Sequence, residues 1–106
     1  MNIIIVGCGK VGQKLTEYLS KEREHDITVV DLKNSPVSDL VSSFDVMGIC
    51  GSGTKLATLL DAGIKSADIL IAVTGSDEIN LLTCLIAKKA TARQSPASAS
   101  RNTMMK

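Results

Sequence analysis

Aromatic side chains are almost absent from this chain, which has one Tyr, one Phe and no Trp among its 106 residues. The hydrophobic core must therefore be built from aliphatic side chains, within the 44% of residues that are hydrophobic. A chain of this length is sufficient for one small domain with a single core.

An excess of charge of either sign is also absent. Lys and Arg number 12, Asp and Glu number 11, and the formal net charge is +1. This balance gives no electrostatic reason to expect nucleic acid or an anionic membrane as a partner. No apolar run approaches the roughly 18 residues of a membrane span, and the N-terminus does not resemble a signal peptide. We therefore expect no direct insertion into a membrane.

Residues that carry common catalytic chemistry are scarce. The cysteines Cys8, Cys50 and Cys84 lie far apart without CxxC spacing, which is typical of reduced thiols in a cytoplasmic protein. We expect all three to be small buried or half-buried apolar residues. The only histidine, His25, lies in the polar run KEREHD and is expected to be solvated. No catalytic triad, metal-ligand cluster or pair of catalytic carboxylates can be assembled, so the sequence favours binding over catalysis.

Short apolar runs alternate with helical patterns along most of the chain. The predicted strands are residues 2–7, 27–31, 45–49 and 68–73, and the predicted helices are 10–23, 35–43, 54–63 and 77–90. Ser35 and Thr54 are the expected N-caps of the second and third helices. This alternation predicts an α/β fold with a doubly wound, Rossmann-type parallel sheet of strand order 3-2-1-4.

The C-terminal segment breaks this pattern. Residues 92–106, ARQSPASASRNTMMK, are rich in Ser and Ala and have no apolar periodicity. We therefore predict one nucleotide-binding domain over residues 1–91 and an aberrant or disordered tail over 92–106, which leaves a fifth strand doubtful.

A glycine motif joins the first strand to the first helix. The six residues Gly7, Cys8, Gly9, Lys10, Val11 and Gly12 match G-x-G-x-x-G. The strand before it and the helix after it are the context in which this motif binds a dinucleotide. Gly7 would form the tight turn, Gly9 would admit a pyrophosphate, and Gly12 would let the helix pack closely. Free N–H groups at the start of the helix would face the phosphates.

An acidic residue follows the second strand at a matching distance. Asp31 lies 19 positions after Gly12, close to the roughly 20 positions expected for a carboxylate that binds ribose hydroxyls. A carboxylate there favours NAD or an adenosine nucleotide over NADP. The nearby Lys33 slightly weakens this discrimination against NADP. The next residue, Leu32, belongs to the same candidate site. The alternative is that Asp31 is an ordinary polar residue at the end of a strand.

Two further loops follow the third and fourth strands. In a parallel sheet the carboxyl ends of the strands lie at one edge, where ligands bind. Thr74 and Gly75 are therefore candidates for ribose or phosphate contacts, and Gly51 and Ser52 for the edge of the base. Each loop also has a purely structural alternative. The loop after the third strand could be a flexible turn, and the loop after the fourth could provide an N-cap at Ser76 or Asp77.

Three segments of residues 1–91 resemble a known family: IIIVGCGKVGQKLTEYLS, ITVVDLK and DAGIKSADILIAVTGSDEINLLTCLIAKK. They are similar to the N-terminal nucleotide-binding (RCK/KTN) domain of Trk-type potassium-uptake regulatory proteins (TrkA). The pattern from Ala67 to Asn80 is much narrower than a generic glycine motif. One departure is Gly51-Ser52-Gly53, where the family usually has Gly-Asp-Ala, so any contact that needs that carboxylate is not expected.

The resemblance implies a cytoplasmic regulatory subunit rather than an enzyme. Such domains bind NAD(H) or an adenine nucleotide (ATP, ADP or AMP), form dimers or larger rings, and gate a membrane potassium transporter or channel subunit. The glycines would face phosphates, Asp31 would bind ribose, and Thr74 with Gly75 would line the other side of the cleft. One alternative is the cofactor-binding fragment of a NAD-dependent oxidoreductase, and another is a fold remnant that binds nothing.

The tail departs from the family, which continues with a strand resembling T-I-A-R-V-R and then N/K-P-E-Y. Codons can be chosen for residues 93–106 that encode the peptide T-I-A-R-V-R-K-P-E-Y-D-D-E when they are translated in a different reading frame. Our hypothesis is that one base was lost near residues 90–93, in the gene or in a clone. The chain would then be a truncated domain without the family's crossover helix and C-terminal domain.

Overall fold

The computed structural model describes residues 1–91, and the tail predicted at 92–106 lies outside them. Four strands alternate with four α-helices in this part of the chain, and one short 3-10 helix, Ile64–Ser66, precedes the last strand. The strands are β1 (Asn2–Val6), β2 (Asp26–Asp31), β3 (Met47–Cys50) and β4 (Ile69–Ala72). The α-helices are α1 (Lys10–Ser20), α2 (Asn34–Ser43), α3 (Leu56–Asp61) and α4 (Asp77–Thr91).

The described sheet is parallel throughout and has the order β3-β2-β1-β4. In the centre, Ile4 of β1 pairs with Thr28 of β2 on one side and Leu70 of β4 on the other. This confirms the predicted fold class and strand order. Because all four strands run the same way, the loops that follow them meet at one edge of the sheet.

Helices cover both faces of the sheet, as a doubly wound fold requires. Alternate residues of β1 point to opposite faces. Ile3 and Ile5 belong to one buried cluster, to which α1 and α2 contribute, and Ile4 and Val6 belong to another, to which α3 and α4 contribute. The chain thus packs an aliphatic core on each side of the sheet.

The second and third helices begin at positions other than those predicted. Helix α2 begins at Asn34 after Lys33, so Ser35 lies inside its first turn and provides no side-chain cap. Pro36 is tolerated there because N–H groups of the first turn have no intrahelical acceptor. Helix α3 begins at Leu56 after Lys55. The hydroxyl of Thr54 lies 2.7 Å from the Ser52 hydroxyl, so it stabilises the preceding turn instead of capping α3.

The expectation of a solvated His25 is wrong. Its side chain is only 12% exposed, and its Nε2 lies 2.9 Å from Glu22 Oε1. His25 N donates to the Glu22 carbonyl at 3.3 Å, which closes a turn, and Asp26 N donates to the Met1 carbonyl at 2.8 Å, which joins the next residue to the start of β1. This turn folds the imidazole back against the protein just before β2 begins.

Among residues 1–91, none of the helices combines the length and apolar character needed to cross a membrane.

Candidate functional site

A cleft opens at the edge of the sheet where the four strands end. Its volume is about 180 Å³. That is smaller than the roughly 300–1,000 Å³ typical of pockets for drug-sized ligands, so the cleft can enclose part of a dinucleotide. The cleft is lined by residues from all four strand ends and from the start of α4: Val6, Gly7, Val30, Asp31, Leu32, Lys33, Gly51, Ser52, Gly53, Thr74 and Ile79.

Half of the candidate site residues line this cleft. They come from the four predicted loops: Gly7, Asp31, Leu32, Gly51, Ser52 and Thr74. The structure thus brings together residues that are far apart in the sequence. The other candidates lie around the glycine loop or beside Thr74, outside the lining: Cys8, Gly9, Lys10, Val11, Gly12 and Gly75.

The first and last glycines of the motif are required by the backbone. Gly7 has φ +115°, a conformation that L-residues rarely adopt. A Cβ on Gly7 would also lie 2.9 Å from the backbone of Val73 and Thr74. A Cβ on Gly12 would overlap the Gly7 carbonyl oxygen. These two glycines therefore allow the turn and the close packing of α1, as predicted from the motif.

Gly9 has a different environment. A Cβ built on it meets no atom of the described residues 1–91 within 4 Å, and its backbone is extended, with φ −75° and ψ −161°. The residue is the N-cap of α1 and lies on the protein surface. The first N–H groups of α1 have no intrahelical acceptor and carry the positive end of the helix dipole. The space beside Gly9 is therefore open to an anionic group such as a phosphate.

Asp31 organises the loops around it through both carboxylate oxygens. Its Oδ2 accepts a hydrogen bond from Cys8 N at 2.8 Å, and its Oδ1 accepts one from Lys33 N at 2.9 Å. The half-buried side chain thus ties the glycine motif that follows β1 to the end of β2. Because each carboxylate oxygen has two lone-pair sites, Asp31 retains acceptor capacity for the hydroxyls of a ribose.

Thr74 lies opposite the glycine motif and is bound by Asn80 of α4. Asn80 Oδ1 accepts hydrogen bonds from Thr74 N at 2.8 Å and Thr74 Oγ1 at 2.6 Å, and Asn80 Nδ2 donates to the Thr74 carbonyl at 3.2 Å. Of the two candidate N-caps, Ser76 and Asp77, Ser76 precedes the helix, and its hydroxyl accepts a hydrogen bond from Ile79 N at 3.2 Å. The loop therefore caps α4 and also borders the cleft.

The loop after β3 closes the far side of the cleft. Gly51 N donates to the Asp31 carbonyl at 2.9 Å, which extends the pairing of β2 and β3 by one bond. Ser52 Oγ accepts from Thr54 N at 3.2 Å. Ser52, which stands where the family usually has an acidic residue, is thus held inside a local turn and brings no charge to this side of the cleft.

The three cysteines have two kinds of environment. Cys8 and Cys84 are buried and Cys50 is exposed, so the expectation that all three are at least half-buried is wrong for Cys50. Burial and the nearby Asp31 carboxylate raise the pKa of the Cys8 thiol to about 11. Burial also raises the pKa of Cys84. The side chain of Cys8 thus belongs to the core, and any contact of this residue with a ligand must involve its backbone.

Sequence reasoning missed several residues of the cleft. Gly53, Ile79 and Lys33 line it but were not among the candidates. Asn80 was noted only as part of the family pattern. A signal for Asn80 was present, because it is a polar residue on the face of α4 that also carries the buried residues Thr83, Cys84 and Ala87. A polar side chain in such a row must find a hydrogen-bond partner.

The titratable side chains in the lining of the cleft are Asp31 and Lys33. Within residues 1–91 no group of three or more His, Cys, Asp and Glu side chains is close enough together to hold a metal ion. The site offers the half-buried carboxylate of Asp31, the backbone of the loops after β3 and β4, and the N-terminus of α1. Such an arrangement can bind a ligand with hydroxyl and anionic groups.

Comparison with known proteins gives the family. The model of the TrkA-N domain matches residues 3–103. The chain belongs to the TrkA-N family. Two curated relatives are the Trk system potassium uptake protein TrkA of Halomonas elongata, 44% identical over 87 residues, and a TrkA homolog of Methanothermobacter thermautotrophicus, 36% identical over 89 residues.

This TrkA-N domain corresponds to only part of these relatives. The matched region covers 82% of the chain and 19% of the Halomonas protein, and 84% of the chain and 41% of the Methanothermobacter protein. Among solved structures, the TrkA-N domain of the Escherichia coli inner membrane protein ybaL superposes with a TM-score of 0.78. At 17% identity, covering 98% of this chain and 86% of that one, the likeness shows a shared fold.

Proposed function

We propose that this domain is a non-catalytic nucleotide-binding module that regulates a potassium uptake system. Its ligand is NAD(H) or an adenine nucleotide such as ATP, ADP or AMP. The observation that carries the proposal is the convergence of Gly7, Asp31, Ser52 and Thr74 on one cleft at the carboxyl edge of a parallel sheet. In open α/β folds this edge is where nucleotides bind.

The residues present fit such a ligand. The open space beside Gly9 and the N-terminus of α1 suit phosphates, and the unused lone pairs of Asp31 suit the ribose diol. A Cβ built on Gly75 likewise meets no atom of the described part of the chain within 4 Å, so the backbone can approach a ligand there as well. Leu32 and Ser52 would border the base. Lys10 and Val11 lie exposed on the first turn of α1 and would contribute their backbone N–H groups.

The regulatory part of the proposal is supported by the relatives, which are named Trk system potassium uptake proteins. The proposed partner is a membrane potassium transporter or channel subunit, and the proposed location is the cytoplasmic face of the membrane. The domain would act there as a homo-oligomer, a dimer or larger. A ligand gates such a partner only if it binds two conformations of the assembly with different affinities.

Titration separates this proposal from its rivals. Calorimetry with NADH, NAD, ATP and AMP should give saturable binding of at least one of them, and thermal unfolding should respond. A ligand at 100 times its Kd adds about 2.7 kcal/mol to the free energy of unfolding. Absence of any thermal shift would support a remnant that binds nothing. Turnover of NADH with a carbonyl substrate would support an oxidoreductase fragment.

The partner and the assembly require separate measurements. A potassium channel or transporter gene adjacent to the coding gene would support the proposed partner. Light scattering on the purified chain, with and without nucleotide, measures its oligomeric state. A strictly monomeric chain under both conditions would contradict the proposed homo-oligomer without affecting the nucleotide site.

A further inference from the structure

Asn80 is the polar side chain that connects the buried face of α4 to the cleft. It is 5% exposed, and within residues 1–91 its side chain makes three hydrogen bonds to Thr74. One amide group therefore binds the N–H, the carbonyl and the hydroxyl of a single residue. The backbone of Thr74 is fixed on both sides by a side chain six positions further along the chain.

The hydroxyl of Thr74 is occupied by these internal contacts. It lies 2.6 Å from Asn80 Oδ1 and 3.1 Å from the Ser76 carbonyl, and it accepts a hydrogen bond from Ser76 N at 3.2 Å. A hydroxyl has a single proton to donate, and here two protein oxygens lie within its reach. This loop can therefore meet a ligand best through the backbone of Gly75, which is exposed and has open space around it.

The same loop packs directly against the glycine motif. The Cβ position of Gly7 lies 2.9 Å from Thr74 N and from the carbonyl of Val73. Any displacement of Thr74 toward the motif would push on the Gly7 turn. The position of Thr74 thus determines both how its backbone packs against the Gly7 turn and where Gly75 lies.

We propose that Asn80 is a positioning residue for nucleotide binding. It does not touch the ligand, but it holds Thr74 and Gly75 in place against the glycine motif before a ligand arrives. This rests on the nucleotide-binding function proposed above. A preorganised loop avoids the ordering cost that a mobile loop incurs on binding. The effect should be largest for ligands with phosphates, since the loop packs on the turn that would face them.

The test compares Asn80→Ala and Asn80→Asp with a matched control, Thr83→Val. Thr83 lies one turn further along the same buried face and is fully buried, and its hydroxyl has no hydrogen-bond partner among residues 1–91. Calorimetric titration with ADP and with adenosine should show at least tenfold weaker ADP binding for Asn80→Ala. Adenosine affinity should change much less. Asn80→Asp should recover part of the ADP affinity, because its carboxylate still accepts from Thr74 N and Oγ1.

The control should bind both ligands as the unaltered chain does. Unchanged ADP affinity in a folded Asn80→Ala variant would overturn the inference. An equal loss for ADP and adenosine would also overturn it, because it would indicate general damage. If Asn80→Ala does not fold, Asn80→Asp carries the same comparison between ADP and adenosine.

A second measurement separates this inference from the proposed function. Without ligand, the amide hydrogens of Thr74 and Gly75 should exchange faster in Asn80→Ala than in Thr83→Val. Unchanged exchange would overturn the positioning role. Failure of the unaltered chain to bind any nucleotide would contradict the proposed function, while exchange would still decide whether Asn80 holds the loop.

Discussion

Gly12 lies so close to Gly7 that a Cβ on Gly12 would overlap the Gly7 carbonyl oxygen, whereas a Cβ on Gly9 would meet no atom of residues 1–91 within 4 Å. Two glycines of the same motif thus differ in what they tolerate. A substitution at Gly12 should therefore affect folding, whereas a substitution at Gly9 should affect ligand binding.

Gly9→Val should abolish nucleotide binding or weaken it at least tenfold, because its side chain fills the space proposed for a phosphate. Its free energy of unfolding should fall by no more than about 1 kcal/mol, the cost of a poorer N-cap. Gly12→Ala should destabilise the fold by about 2 kcal/mol or more through overpacking. Calorimetry and denaturant unfolding measure the two effects. Unchanged affinity in Gly9→Val would refute the assignment of this loop.

Asp31→Asn should weaken nucleotide binding about tenfold or more while the chain still folds. The amide has a single acceptor oxygen for Cys8 N, Lys33 N and the ribose, and one lost charge-assisted hydrogen bond corresponds to about 1.5–3 kcal/mol. Asp26→Asn, which removes an exposed carboxylate from the start of the same strand, is the control. Equal affinities for the two variants would remove Asp31 from the site.

Of the three thiols, Cys50 should react first with iodoacetamide, because it is exposed while Cys8 and Cys84 are buried. A saturating nucleotide should slow that reaction. Cys50 Sγ lies 3.2 Å from the Leu32 carbonyl, and Gly51, the next residue, lines the cleft. Mass spectrometry of timed samples gives the order of labelling. A rate that nucleotide leaves unchanged would place the bound ligand away from the loop after β3.

Stability should fall as the pH rises above about 9. The pKa of Cys8 is about 11 in the folded chain against an ordinary value of 9.0. Between these values the unfolded chain loses a proton that the folded chain keeps. The stabilisation is therefore complete below pH 9 and is lost as the pH approaches 11, by about 1–3 kcal/mol.

The control for this pH dependence is Cys8→Ala, which lacks the thiol. Its free energy of unfolding, measured by denaturant titration between pH 8 and pH 10.5, should decline less steeply than that of the unaltered chain. Identical slopes would show that other groups, such as the buried Cys84 with its raised pKa, produce the whole alkaline effect.

The hypothesis of a lost base is tested by the coding DNA. Read in the alternative frame, the codons for residues 93–106 should contain T-I-A-R-V-R followed by K-P-E-Y. Sequencing both the gene and any clone tells whether the loss occurred in the organism or in handling. A DNA sequence without that peptide would contradict the hypothesis.

The sequence predicted the sheet order and the convergence of the loops because these depend on chain-wide regularities. Alternating strands and helices leave few topologies, and Asp31 lies at the spacing expected after Gly12. The environments of individual side chains depend on three-dimensional neighbours that no local pattern reveals. The burial of His25, the exposure of Cys50 and the bonding of Thr74 to Asn80 are of this kind.

Helix starts were mispredicted for a related reason. Ser35 and Thr54 are good capping residues by type, yet neither hydroxyl caps the helix that follows. Thr54 is instead bonded to Ser52 within a turn. A hydroxyl can bond to whichever backbone or side-chain group lies nearest, and the sequence does not say which that is.

The contact between Gly7 and the Val73–Thr74 backbone joins the first strand of the domain to its fourth. During synthesis the glycine motif emerges from the ribosome early, but its opposite wall arrives only after β2, β3 and three helices. The pairing of β1 with β4 closes a long stretch of chain, and such non-local contacts form slowly. Nucleotide binding should therefore appear late in folding, and a nascent chain that ends before β4 should have no site.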